Sequence, residues 1–171
     1  MQISLHQLNQ AKDGLLFVED TIHLTLDEEV SGLEQLAPVD VKARVEMVDP
    51  HFFVAKGELS TTAVFSCAKC LSEFKQEIKA TFEEHFTDDP HRAVESEEQE
   101  IHLADENKLD LTPFIREALL LQFPYIPVCR EDCKGLCPEC GKNRNTESCR
   151  CRVEKIDPRL AVLGDWFQND A

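Results

Sequence analysis

Long apolar runs are missing from this sequence. No stretch approaches the roughly 18 apolar residues that a membrane-spanning helix needs, so we expect no membrane association. The first residues, MQISLH, also lack the basic and apolar segments of a secretory signal. We therefore expect a cytoplasmic protein, in which cysteine thiols stay reduced.

Positive charge is scarce as well. The 171 residues include 18 Lys and Arg against 33 Asp and Glu, for a formal net charge of −15. Residues 83–107 carry ten of the acids and a single base, Arg92. Such a chain is a poor non-specific binder of nucleic acid, because neutralising phosphates requires clustered cations. It suits a basic partner, or the charge serves solubility, and we interpret the acidic stretch as a solvated loop.

Sequence motifs of common enzymes are also absent. The chain has no phosphate-binding glycine loop, no His-Glu-x-x-His and no paired-carboxylate motif. The last histidine is His102, so a cysteine nucleophile near the C-terminus would have no histidine base close in sequence. We predict that the protein is not an enzyme and has no small-molecule substrate.

Three stretches have the composition and periodicity of β-strands. Apolar and polar residues alternate over residues 39–48 and again over 74–86, and residues 52–65 are rich in β-favouring types. Short turns separate them, which predicts an antiparallel meander with one face covered. Further β structure is expected near residues 3–8 and 22–26.

Helix signals follow the strands. Thr112-Pro113 reads as an N-cap followed by proline at the first helical position, and this helix should end before Pro124. A second helix is predicted from Asp157-Pro158 onward. The predicted fold class is α+β, an antiparallel β meander covered by helices, with a C-terminal segment whose six closely spaced cysteines indicate that zinc holds it.

We predict two regions along the chain. Residues 1–128 should form the body of sheet and helix, including the acidic loop 83–107. Residues 129–171 should form a cysteine-rich segment of zinc knuckles followed by the C-terminal helix. In contrast to the acidic body, this second region balances eight acids with eight bases.

Cysteine is the residue type on which the functional interpretation depends. The chain has eight, and the last six lie within 23 residues. In Cys137-Pro138-Glu139-Cys140-Gly141 the spacing lets both thiolates face one ion, and the glycine permits the tight turn that follows. The eight cysteines form four close pairs, numbered first to fourth in chain order: Cys67 and Cys70, Cys129 and Cys133, Cys137 and Cys140, Cys149 and Cys151.

These pairs predict tetrahedral zinc sites with thiolate ligands only. The third and fourth pairs suit one site, and the first and second pairs suit another. Joining the first pair to the third is an open alternative. We expect one or two zinc ions, preferably two, with all eight cysteines as ligands. Four disulfides in a secreted chain, or an iron–sulfur cluster, are the other chemistries that the spacing permits.

Basic residues are concentrated around the fourth pair. They are candidates for contact with RNA, as in zinc ribbons that bind nucleic acid. The alternative is that they neutralise the metal centre, since four thiolates around one zinc ion carry a net charge of about −2. The candidates are Lys142, Arg144, Arg150, Arg152 and Lys155.

Five motifs spread over most of the chain belong together. They are Cys67-x-x-Cys70-Leu71, Pro127-Val128-Cys129, Glu131-Asp132-Cys133-Lys134-Gly135-Leu136-Cys137-Pro138-x-Cys140-Gly141, Asn143-x-Asn145 and Asp157-Pro158-Arg159-Leu160-Ala161. With these motifs the chain resembles the bacterial YceD family, which was long catalogued as a domain of unknown function. Two positions depart from the family pattern: Arg144 stands where leucine is expected, and Lys69 where arginine is commoner.

The resemblance implies a cytoplasmic protein needed for accumulation of large-subunit ribosomal RNA. The gene of such a protein commonly lies beside that of a small basic ribosomal protein. The implied partners are therefore a ribosomal protein, the large-subunit rRNA precursor, or both. Some relatives keep the first pair and a ligand after Pro-Val but lack the last two pairs, which favours joining the first pair to the second.

Two other functions are compatible with the residues. The Cys-x-Cys and Cys-x-x-Cys spacings also suit a zinc-thiol redox sensor or a holdase. A zinc-ribbon regulator that binds nucleic acid is the other alternative.

Overall fold

Long β-strands dominate the secondary structure. The computed structural model describes residues 1–26, 30–95, 100–104 and 108–151. In chain order, the strands and α-helices of these residues are β1 (Gln2–Ser4), α1 (Leu5–Gln10), β2 (Leu15–Ile22), β3 (Leu33–Leu36), β4 (Val39–Asp49), β5 (Phe52–Ser66), β6 (Glu73–Thr87), β7 (Val94–Glu95), β8 (Glu100–Leu103), β9 (Lys108–Asp110) and α2 (Thr112–Leu120).

Most of these strands belong to one mixed sheet. Its strand order is β2-β4-β5-β6-β8-β7, and β3 also pairs with β5. The neighbours from β2 to β6 are antiparallel, whereas β6 and β8 are parallel. β1 and β9 form a separate antiparallel pair. The three strands predicted from the sequence are β4, β5 and β6, and they form the antiparallel centre of this larger sheet.

The alternation along the central strands places one face in the core. In β4, Val39, Val41, Ala43 and Val45 are buried while the residues between them are exposed. The same pattern continues in β5 and β6, because successive side chains of a strand point to opposite faces. The largest buried side chains on these two strands are Phe53, Leu59, Phe65, Ile78, Phe82 and Phe86.

Close packing between β5 and β6 depends on Gly57. This residue pairs with Phe82, and a Cβ at position 57 would lie 2.2 Å from Phe82 Cε1. Because a side chain at position 57 would displace the Phe82 ring from its packed position, we expect Gly57→Val to lower the free energy of unfolding by about 1–3 kcal/mol. Urea denaturation measures this. Glu58→Val, on the exposed face, is the control, and equal stability of the two variants would contradict the packing.

α2 is the helix predicted at Thr112-Pro113, but it begins differently. Leu111 is the N-cap residue, and the carboxylate of Asp110 accepts a hydrogen bond of 2.9 Å from the Thr112 backbone N–H. Thr112 is therefore the first helical residue. The Phe114 ring packs edge-on against Phe86 of β6 at 5.3 Å between ring centroids, which places α2 beside that strand. The helix predicted from residue 157 lies outside the described residues.

Three expectations about secondary structure differ from the observed fold. Of residues 22–26, predicted as β, only Ile22 lies in a strand, at the end of β2. Of residues 3–8, predicted as β, only the start is in β1, because Leu5 and Leu8 lie on one buried face of α1. The stretch 83–107, predicted as a loop, contains the end of β6 together with β7 and β8. Phe86 continues the apolar alternation there and is buried, which explains why strand structure persists in an acidic segment.

The chain divides into two compact units. The first consists of Met1–Ala68 and Ser72–Cys129 and contains the strands and helices named above. The second consists of Lys69–Leu71 and the residues from Arg130 onward. Among the described residues, no helix has the length and apolar character needed to cross a membrane.

Candidate metal centres

The eight cysteines gather into two groups of four. Group A consists of Cys67, Cys70, Cys129 and Cys133, and group B of Cys137, Cys140, Cys149 and Cys151. Within each group the sulfur atoms lie within 4.8 Å of one another. Zinc–sulfur bonds of about 2.3 Å in a tetrahedron separate the sulfurs by roughly 3.8 Å, so each group is close to the size that one ion requires. The alternative that joins the first pair to the third is not the grouping that the structure shows.

The first pair of group A lies at the turn between β5 and β6. The turn is closed by a hydrogen bond of 3.0 Å from the Cys67 backbone N–H to the Ser72 carbonyl. Leu71 has a φ of 58°, an uncommon value for a residue with a side chain. This conformation reverses the chain directly after Cys70. Both thiols of the pair are buried.

The second pair of group A follows a contact with this turn. The Ala68 backbone N–H donates to the Pro127 carbonyl at 2.9 Å. Two residues later, the Cys129 backbone N–H donates to Cys67 Sγ at 3.4 Å. An amide directed at a sulfur stabilises its thiolate form. Cys133 closes a turn of its own by donating to the Arg130 carbonyl at 3.1 Å.

Group B is built on a short hairpin. Leu136 and Asn143 are bridged, and the Cys137 backbone N–H donates to the Lys142 carbonyl at 2.8 Å. At the tip, the Gly141 N–H donates to the Cys137 carbonyl at 2.8 Å. Gly141 has a φ of 72°, a conformation that glycine adopts without cost. The glycine thus has the role in the turn that its position after Cys140 predicts.

The electrostatics of group B favour a bound cation. Backbone N–H groups of Cys140 and Glu139 lower the pKa of Cys137 from 9.0 to about 6. A side-chain hydrogen bond with Cys137 raises the pKa of Cys149, and one with Cys140 raises the pKa of Cys151 to about 12. Of these three thiols, Cys137 therefore loses its proton most readily, and Cys149 and Cys151 lose theirs less readily than an ordinary thiol. A metal ion that prefers thiolates supplies the positive charge that four thiolates together require.

The two groups differ in their exposure to solvent. Cys67, Cys70 and Cys133 of group A are buried, and Cys129 is half-buried. In group B, Cys140 and Cys151 are exposed. A reagent in solution therefore reaches group B directly, whereas reaching the three buried thiols of group A requires local opening.

The basic residues predicted to contact RNA have different surroundings. Lys142 is exposed and forms an ion pair with Glu147 at 3.4 Å. Arg144 and Arg150 are exposed and form no ion pair with any residue that the structure describes. Arg152 and Lys155 lie outside the described residues. Lys134 was missed by sequence reasoning, and its exposed side chain forms no ion pair within the described ranges.

A further residue beside group A was missed. The side-chain amide of Asn145 donates to Cys133 Sγ at 3.3 Å. Its presence in the Asn143-x-Asn145 motif was the available signal. A motif does not disclose which distant atom a side chain contacts, so the hydrogen bond itself could not be predicted.

The fold and these groups define a class: a protein built mainly on a mixed β-sheet, with two four-cysteine groups that are each able to hold a metal ion. A family model described as "Large ribosomal RNA subunit accumulation protein YceD" matches residues 55–166, a range that includes all eight cysteines. The chain belongs to the YceD family. The resemblance inferred from the cysteine and asparagine motifs is thereby confirmed.

Several proteins are similar to this chain. An uncharacterized protein of Mycobacterium tuberculosis (strain ATCC 25618 / H37Rv) is 33% identical over 167 residues, covering 95% of this chain and 79% of the relative. An uncharacterized protein of Bacillus subtilis (strain 168), YlbN, is 27% identical over 179 residues, covering 99% of this chain and 98% of the relative.

A plant relative carries a functional name. The Arabidopsis thaliana protein "Large ribosomal RNA subunit accumulation protein YCED homolog 1, chloroplastic" is 33% identical over 69 residues, covering 40% of this chain and 22% of the relative. No solved structure matches this chain. The family is thus named for the accumulation of ribosomal RNA and not for an enzymatic activity.

Proposed function

We propose that this protein is a non-enzymatic assembly factor that supports accumulation of large-subunit ribosomal RNA in the cytoplasm. The observation that carries the proposal is the family match over residues 55–166. Eight cysteines in close pairs suit a reducing compartment, where thiolates stay available to a metal. The protein acts by binding the ribosomal RNA precursor, a basic ribosomal protein, or both.

Groups A and B each bind one zinc ion in this proposal. Thiolate ligands at tetrahedral spacing are typical of structural zinc, and four protein ligands leave no open position for a substrate. The ions hold the knuckles in shape and do no chemistry. By doing so, they maintain the surface that the hairpin of group B presents.

That surface offers positive charge to RNA. Lys134, Arg144 and Arg150 are exposed around the hairpin and have no ion pair within the described residues. By contrast, several lysines of the sheet are already paired with carboxylates: Lys42 with Glu19, Lys56 with Glu83 and Lys79 with Glu77. An unpaired cation can contact a phosphate without first breaking an ion pair, so the hairpin is the better RNA-binding surface.

The remaining charge distribution suits a basic protein. The net charge is −15, yet residues 129–171 balance to zero, so the excess of acids lies in residues 1–128. This field attracts a basic partner and repels RNA from the rest of the protein. An RNA strand is thereby directed to the hairpin while the acidic region remains available to a ribosomal protein.

Charge removal on the hairpin should weaken RNA binding. We expect the triple variant Lys134→Ala/Arg144→Ala/Arg150→Ala to have a reduced affinity for large-subunit RNA fragments. The logarithm of its RNA association constant should also depend less steeply on the logarithm of the salt concentration. Each lost contact with a phosphate lowers that slope by about 0.7–0.9. Filter binding over a range of salt concentrations measures both quantities.

The matched control removes three paired cations from the sheet. Lys42→Ala/Lys56→Ala/Lys79→Ala changes the net charge by the same amount, and we expect its RNA binding to change less. Equal losses in the two triple variants would contradict the assignment to the hairpin.

In cells, deletion of the gene should lower the level of large-subunit ribosomal RNA. Normal levels after deletion would refute the proposed function.

A further inference from the structure

Asn145 connects the surroundings of the two cysteine groups. In sequence it lies between Cys140 and Cys149, inside the segment that links the two pairs of group B. Its side-chain Nδ2 nevertheless donates to Cys133 Sγ of group A at 3.3 Å. A residue carried by the loop of one group thus contacts a sulfur of the other.

The orientation of this amide is determined by its neighbours. Asn145 Oδ1 accepts hydrogen bonds of 2.9 Å from the Lys134 backbone N–H and from Arg130 Nη2. Because both of these groups can only donate, the oxygen must face them and the nitrogen must face the sulfur. Asn145 Nδ2 also donates to Asn143 Oδ1 at 2.9 Å. These contacts hold the N–H in the direction of Cys133.

The position of Asn145 depends on the hairpin and turn of group B. Its backbone N–H donates to Asn143 Oδ1 at 2.9 Å, and the Glu147 N–H donates to the Asn143 carbonyl at 2.8 Å. This turn lies two residues before Cys149. On the other side, the Arg144 N–H donates to the Gly135 carbonyl at 3.0 Å, in the segment that leads to Cys137. Ligands of group B therefore bound the segment on both sides.

We propose that Asn145 is a positioning residue that couples the two metal centres. An ion in group B orders the segment between Cys140 and Cys149, and the ordered segment directs the Asn145 N–H at Cys133 Sγ. The hydrogen bond stabilises the thiolate and raises the affinity of group A for its ion. This inference rests on the proposal that both groups bind zinc. Outer residues of this kind typically change metal affinity by about 10–100-fold.

A double-mutant cycle on the full chain tests the coupling. Zinc affinity of group A is measured by competition with a chromophoric chelator in the wild type, Asn145→Ala, Cys149→Ser/Cys151→Ser and the combined variant. We expect either change alone to weaken zinc binding at group A by about 10–100-fold. In the combined variant, group A should bind zinc no more weakly than in the weaker-binding of the two separate variants, because both changes remove the same hydrogen bond.

Two further variants separate coupling from misfolding. Asn145→Asp keeps the acceptor for Lys134 and Arg130 but lacks the N–H, so it should lose affinity like Asn145→Ala. Ser148→Ala, at an exposed position of the same segment, should bind zinc like the wild type. Circular dichroism must show the same sheet content in every variant.

Two results would overturn the inference. They are an unchanged group A affinity in Asn145→Ala, and effects that multiply fully in the combined variant. In both cases, if the wild type binds two zinc ions, the proposal of two metal centres still holds and only the coupling is refuted. A wild type that binds no zinc would refute the metal centres and the coupling together. None of these outcomes depends on ribosomal RNA levels, so failure of the proposed function is recognised separately.

Discussion

A Cys67→Ser variant is expected to retain one zinc ion per chain where the wild type retains two, and to lose more than about 4 kcal/mol of unfolding free energy. Cys67 is fully buried at the end of β5. Zinc bound by thiolates contributes folding free energy directly, with apparent values of about 10–16 kcal/mol in small peptides. Removing one of four ligands also leaves the other buried thiols without the ion that neutralises them. Elemental mass spectrometry and denaturant unfolding measure the two effects.

The control for this variant lies in the same turn. Ala68→Ser adds a hydroxyl at an exposed position between the two cysteines of the first pair. It keeps all four thiols, and its backbone N–H still reaches the Pro127 carbonyl. We expect two zinc ions and a stability within about 0.5 kcal/mol of the wild type. A Cys67→Ser variant that matches this control would show that group A holds no structural metal.

Chelator should remove the two zinc ions in two phases. The ion in group B is expected to leave at least about tenfold faster, because Cys140 and Cys151 are exposed while Cys67, Cys70 and Cys133 are buried. A tenfold difference corresponds to about 1.4 kcal/mol of local opening free energy. A colorimetric zinc indicator measures both phases after the chelator is added.

Variants assign the two phases. Cys149→Ser/Cys151→Ser should abolish the fast phase, and Cys67→Ser should abolish the slow one. A single phase in the wild type would contradict the difference in accessibility.

Mild peroxide extends the experiment to the redox-sensor alternative, which requires zinc release together with exposure of apolar surface. A zinc content that peroxide leaves unchanged would favour the structural role.

Local periodicity was sufficient to predict the central strands. In β4, buried and exposed residues alternate from Val39 to Val45, as the sequence pattern requires. The parallel contact between β6 and β8 was not predictable in this way, because β8 is only four residues long. Its place is set by pairing with the end of a neighbouring strand. Similarly, the spacing of Ile3 and Leu5 suits a strand while that of Leu5 and Leu8 suits a helix, and burial of Leu5 and Leu8 on one helical face decided between them.

The four close cysteine pairs, the turn at Gly141 and the acidic character of residues 1–128 follow from the amino-acid sequence alone. These features depend on residues a few positions apart, whose geometry the chain constrains directly. By contrast, the tertiary structure joins the first pair to the second, because Cys67 and Cys129 are 62 positions apart. It also decided which thiols are buried and that Asn145 reaches Cys133. Such contacts depend on how the strands and turns are arranged in space, and spacing along the chain does not encode that arrangement.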